Sequence, residues 1–150
     1  MTGKQYFVKI ANAMRSMEAL ERKIKELKES ATLIKSFDYS KEKVQTSPQN
    51  IQEEKIIKII DIIREYDAQI AQYAESVLDA ERKLATLSRT EYAEVIRLRH
   101  LQKEKLSWED LSYQLGYESE GARTLYRNAL TEFEEKYLDV NTGKNRKKPK

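Results

Sequence analysis

The stretch SEGARTLYRNAL, Ser119 to Leu130, carries polar and charged side chains at the spacing of one helix face. Ser119, Glu120, Arg123, Thr124, Arg127 and Asn128 follow one another at steps of one and three, which a helix turns to the same side. That assortment suits the edges of base pairs. A guanidinium offers paired donors to guanine O6 and N7, a carboxylate accepts from cytosine N4, and Thr or Asn can add short hydrogen bonds. Each residue also has an ordinary explanation. Glu120 near a helix start favours the helix dipole, and Arg123 and Arg127 are equally at home as solvated charges. Gly121, in the middle of the set, offers no contact and loosens a helix by about 1 kcal/mol relative to Ala.

Binding to nucleic acid depends heavily on phosphate neutralisation. Arg97, Arg99, Lys103 and Lys105 are the candidate phosphate contacts, with Lys144, Arg146, Lys147, Lys148 and Lys150 adding sequence-independent attraction. The charge distribution weighs against strong binding. Residues 89–138 carry 8 basic and 10 acidic groups, a net −2, whereas residues 139–150 carry 5 and 1, a net +4. A single unit of this kind is expected to bind duplex DNA weakly and to gain from linkage to a second copy.

Catalysis finds little footing. His100, the only histidine, adjoins the inward Leu101 and reads as a packing or surface residue. There is no Gly-rich phosphate loop, H-E-x-x-H pair or nucleophile elbow. With no cysteine, disulfides, thiolate metal sites and thiol nucleophiles are excluded. No catalytic residue, metal ligand or cofactor is expected.

Three helices would position the polar face. Tyr92, Val95, Ile96, Leu98 and Leu101 form the inner side of one, preceded by Ser88 and Glu91 at capping-box spacing. Ser107 caps the next, whose inward residues are Trp108, Leu111 and Leu115, and Gly116 supplies a turn with positive φ. Ser119 caps the third, with Ala122, Leu125, Ala129 and Leu130 inward. Two short helices about a glycine turn match the helix-turn-helix plan.

The first 88 residues have a different pattern. Ile10, Ala13, Met17, Leu20, Ile24, Leu27, Ala31 and Ile34 alternate steps of three and four. So do Ile56, Ile59, Ile63, Tyr66, Ile70, Tyr73, Val77, Ala80, Leu84 and Leu87. These are coiled-coil stripes, with both tyrosines as seam packing. The polar segment 36–50 between them contains Ser47-Pro48 and Asn50 with Glu53 as alternative helix starts. The economical arrangement is a long antiparallel helical hairpin. Ile57, Ile60 and Ile62, with Phe7, Ala11 and Met14, exceed what one seam can cover. A second interface follows, most simply self-association as a homodimer or higher homo-oligomer.

The expected fold is therefore all-α: a hairpin over 1–88 with a loop at 36–50, a three-helix domain over 89–138 and a basic disordered tail over 139–150. A composition of 35% charged and 39% hydrophobic residues with four Gly and two Pro agrees with long helices. No apolar run approaches the roughly 18–20 residues of a membrane span. A cytoplasmic chain with no membrane partner is expected.

The residues VIRLRHLQKEKLSWEDLSYQLGYESEGARTLYRNAL resemble the −35-binding region of sigma-70-type sigma factors. The likeness lies in Leu98-Arg99-His100-Leu101, Ser107-Trp108-Glu109-Asp110-Leu111, Leu115-Gly116-Tyr117 and Arg127-Asn128-Ala129-Leu130. Nearly the whole chain resembles small phage and prophage proteins of Gram-positive bacteria, kin to late-gene activators of the ArpU and RinA type. Gly121 departs from the long polar or basic residue common in sigma-like domains. The resemblance implies a transcription regulator that binds promoter DNA and activates transcription at the nucleoid of the host cell, with host RNA polymerase as a further partner. The alternative is an interaction protein that contacts polymerase or another regulator through the same surface without binding DNA itself. A structural coiled-coil protein with an incidental C-terminal domain is a third reading.

Overall fold

The computed structural model describes residues 1–40 and 46–138, the side chains of residues 35–50 excepted. Among the described residues there are five α-helices and no strand: α1 Gly3–Ser40, α2 Thr46–Leu84, α3 Thr90–His100, α4 Trp108–Leu115 and α5 Ser119–Tyr137. The all-α expectation holds. Helix takes more of the segment expected as a loop at 36–50: α1 continues to Ser40, and α2 starts at Thr46 with Pro48 in its first turn. A proline there loses no hydrogen bond, because the first amides of a helix have no intrahelical acceptor. The proposed caps at Ser47 and Asn50, and the tail over 139–150, lie outside the described side chains or residues.

The chain divides into two compact units. One comprises Met1–Ala13 with the chain from Ser76 onward, and the other comprises Met14–Glu75. Periodicity alone suggested a division at residue 88. The difference has a physical cause in the first unit's core. Phe7, Leu84 and Leu87 are buried in the same apolar cluster as Val95, Ile96, Leu111, Leu125 and Phe133. The three-helix group does not enclose its core from residues after 88 alone.

In the Met14–Glu75 unit the stripes fall where the spacing placed them. Leu20 and Ile24 are buried, while Met17, Leu27, Ala31, Ile56, Ile59, Ile63, Tyr66, Ile70 and Tyr73 are half-buried. Lys23 Nζ lies 5.9 Å above the Tyr66 ring, so this seam tyrosine also receives a cation on its face. Ile57, Ile60, Ile62 and Leu33 remain exposed.

The other unit is built around α5, against which α3 and α4 pack. Its buried residues Ala122, Leu125, Ala129 and Phe133 recur at helical spacing. The start of α1 is fixed here by a capping box: Thr2 Oγ1 accepts from Gln5 N–H at 3.1 Å, and Gln5 Oε1 accepts from Thr2 N–H at 2.9 Å. Gly3 N–H donates to Glu134 Oε2 at 2.7 Å, which brings a carboxylate to the positive end of α1.

Polar contacts also fasten the α2–α3 connection to α5. Glu132 accepts from Ser88 N–H and Ser88 Oγ, both at 2.7 Å. Burial pushes the Glu132 carboxyl up, but the Ser88 donors and Lys136 outweigh it and hold it below the usual range. The Ser88–Glu91 capping box is accordingly absent. Arg89 is the N-cap residue of α3 without a side-chain cap bond, and Glu91 pairs with Arg89 at 3.4 Å. The Glu132 carboxylate satisfies both Ser88 donors, a tertiary partner displacing the local one.

Candidate nucleic-acid interface

Helix α4 starts and stops as its sequence dictates. Ser107 Oγ accepts from Asp110 N–H at 3.1 Å, and Glu109 and Asp110 place carboxylates in the first turn. Gly116 ends the helix at φ 79 and ψ 22, a left-handed conformation that favours glycine. The Gly116 and Tyr117 amides both donate to Ser112 O, at 2.9 and 3.0 Å. After this tight closure α5 begins at once. Its N-cap residue is Glu118, not Ser119 as expected, and no side chain caps it. Ser119 is already inside the helix, because the turn is one residue shorter than a Ser119 cap requires.

The buried side of α5 leaves Glu120, Arg123, Thr124, Arg127 and Asn128 exposed and Ser119 half-buried. All six candidate reading residues therefore occupy the N-terminal part of one helix. Arg127 Nη2 donates to Thr124 Oγ1 at 3.2 Å, which couples these two side chains.

Gly121 acquires a local reason. A shallow groove runs beside α5, lined by Arg89, Tyr117, Glu120, Gly121, Thr124 and Asn128. A Cβ at Gly121 would stand 3.4 Å from Tyr117 Cδ2, in ordinary contact, whereas a long side chain there would compete with the tyrosine ring. Gly121→Ala is expected to raise stability by about 0.5–1 kcal/mol through helix propensity. Thermal unfolding checks it. A fall of similar size would mean the Tyr117 ring cannot give way.

No protein-family model matches the chain, and no curated protein or solved structure matches it either.

The candidate phosphate contacts separate into different settings. Arg97 turns towards α2, its Nε and Nη2 both 2.9 Å from Glu81 Oε1. Arg99 donates from Nη1 to Leu106 O at 3.0 Å and stacks over Trp108, with Cζ 4.5 Å from the ring centroid. Arg123 reaches the same indole from α5, with Cζ at 5.6 Å. Lys103 and Lys105 are exposed on the segment between α3 and α4. Arg99 and Arg123 thus meet the same indole, and Arg97 is committed elsewhere.

His100 is a packing residue. Its ring lies 6.0 Å from Phe7 in a stacked arrangement, and Nε2 is 2.7 Å from Tyr126 Oη. Burial lowers its pKa from 6.5 to about 4, helped by the positive charges of Arg99, Lys4 and Lys105. Among the described residues no group of three or more His, Asp or Glu side chains is placed to hold a metal ion.

Trp108, Tyr117 and Arg89 were not selected from the sequence as site residues. Trp108 was read as inward, yet it is half-buried with its ring under two cations. The available signal was a lone tryptophan at a helix start, a few residues after the basic run Arg97-Leu98-Arg99-His100. Arg89 lies thirty or more residues from the other groove residues, apart from Tyr117, and only the fold brings it there.

Proposed function

We propose that the chain is a transcription regulator of the phage and prophage kind, reading promoter DNA through α4, the Gly116 turn and α5 as a sigma-like helix-turn-helix. One observation carries the proposal: five polar residues, Glu120, Arg123, Thr124, Arg127 and Asn128, stay exposed on the first half of the helix that follows the glycine turn. That is the part of a recognition helix that meets base edges. Arg99, Lys103 and Lys105 make up the phosphate-contacting set, and Arg97, held by Glu81, is left out of it. The contacts of Lys23 with Tyr66 and of Tyr6 with Lys83 support an antiparallel hairpin of α1 and α2. Exposed Ile57, Ile60, Ile62 and Leu33 support pairing of copies through that hairpin. No described helix is long and apolar enough to cross a membrane, in keeping with a cytoplasmic, nucleoid-associated role without a membrane partner. No enzymatic activity or cofactor is proposed.

The test is a mobility shift with promoter fragments of the source genome. The double variant Arg123→Ala plus Arg127→Ala is expected to bind the preferred fragment at least tenfold more weakly, since a good base contact is worth about 1–3 kcal/mol. Selective binding at wild-type strength by that variant would remove α5 from the reading surface.

A second reading is favoured by Tyr113, which is 88% exposed on α4, and by the net −2 of residues 89–138. A large exposed aromatic suits a protein partner, here host RNA polymerase or another regulator. Capture of polymerase subunits with no DNA shift at low salt would select this reading over the first.

A further inference from the structure

We propose that Arg99 and Arg123, gathered on Trp108, clamp a single phosphodiester of a nucleic-acid duplex; this rests on the DNA-binding reading. Three helices contribute. Arg99 comes from α3, Trp108 opens α4 and Arg123 comes from α5, with the two guanidinium carbons 4.5 and 5.6 Å from one ring centroid. The ring is also packed by a neighbour. Tyr126 meets Trp108 edge-on at 5.3 Å, and the Tyr126 hydroxyl is itself bonded to His100 at 2.7 Å.

Two like charges over one indole repel each other, and the ring's quadrupole offsets that only in part. Among the described residues neither guanidinium is paired with a carboxylate. Ion pairs in this unit include those of Lys83, Arg89, Arg97 and Lys136. Glu109 and Asp110 occupy the first turn of the same helix as Trp108. The two guanidiniums therefore keep donors that no carboxylate takes, around one ring.

Phosphodiester fits this arrangement better than carboxylate. A carboxylate has two oxygens in one plane, which a single guanidinium fork can satisfy. A phosphodiester has tetrahedral geometry and serves two forks arriving from different helices. The assignment changes the role of Arg123, which positions the backbone, leaving base edges to Glu120, Thr124, Arg127 and Asn128.

Salt dependence tests the clamp on the full-length protein, because the slope of log K against log salt counts neutralised phosphates at about 0.9 each. The double variant Arg99→Gln plus Arg123→Gln is expected to lose about 0.9 of slope, the value for one shared phosphate, and to weaken binding to random and preferred duplexes alike. Loss of about 1.8 would indicate two separate phosphates and overturn the clamp. Trp108→Phe, which keeps an aromatic packing group but a weaker cation platform, is expected to weaken every duplex about threefold. As the chain has one tryptophan, its emission reports on the ring directly, and it should change on titration with a random duplex. If Arg123→Gln keeps the slope and relaxes preference at one base pair, the clamp fails while DNA reading stands. Equal competition by polyglutamate likewise overturns it. Failure of the wild type to bind any duplex at low salt sinks the functional reading itself.

Discussion

Phe7→Ala is expected to destabilise the unit that contains α3, α4 and α5 by about 3–4 kcal/mol, although it lies far from them in sequence. Phe7 is fully buried. Its ring centroid is 4.7 Å from that of Phe133, 5.0 Å from Tyr6 in an edge-on contact and 6.0 Å from His100. Truncation removes the transfer free energy of the ring, opens a cavity and breaks aromatic pairs worth about 0.5–1.5 kcal/mol each. Urea unfolding followed by Trp108 emission would measure the loss where it matters. Val8, one residue on and 40% exposed, is the control: Val8→Ala should stay within about 0.5 kcal/mol. Equal and small effects at both positions would show that the first turns of α1 do not belong to this core.

The second large effect is a loss of stability on mild acidification. His100 titrates at about 4 in the folded chain against 6.5 as its ordinary value, chiefly because it is buried and also because Arg99, Lys4 and Lys105 are nearby. Above pH 6.5 the ring is neutral in both states and its contribution is fully present. As pH falls from 6.5 towards 4 the unfolded chain takes up a proton that the folded chain refuses, so stability falls across that window. The full shift corresponds to about 3 kcal/mol, and solvent access to the half-buried ring reduces this to about 2 kcal/mol. His100→Gln is expected to flatten this part of the pH profile, whereas carboxylates that titrate nearby remain common to both proteins. Parallel profiles for the two would refute the assignment.

Some features could be read from sequence because their causes are local. Steps of three and four located both stripes, and the residues between them at Ile57, Ile60 and Ile62 are indeed the exposed ones. Ser107 and Gly116 are a cap and a stop by the chemistry of their own side chains or lack of one. The Thr2–Gln5 capping box was equally local and was overlooked. What could not be read depends on tertiary partners. Ser88 has good spacing to cap α3, but Glu132 takes its donors from 44 residues away. Arg97 looked like one more cation beside Arg99 until Glu81 was seen to hold it. An apolar stripe states that a face must be covered and not by what, so Phe7 suggested an interface between copies when its partner is Phe133. The stacking of Arg123 on Trp108 depends on how α4 and α5 cross, which periodicity does not encode.

The burial of Phe7 against Phe133 also orders events at the ribosome. Synthesis delivers the first ring early and its mate only after Met14–Glu75 has emerged, at about 5–20 residues per second. The earlier ring has to wait, greasy and unmatched, for roughly ten seconds before the last long helix arrives. Of the two units, the one that holds Phe7 cannot close until α5 has been made.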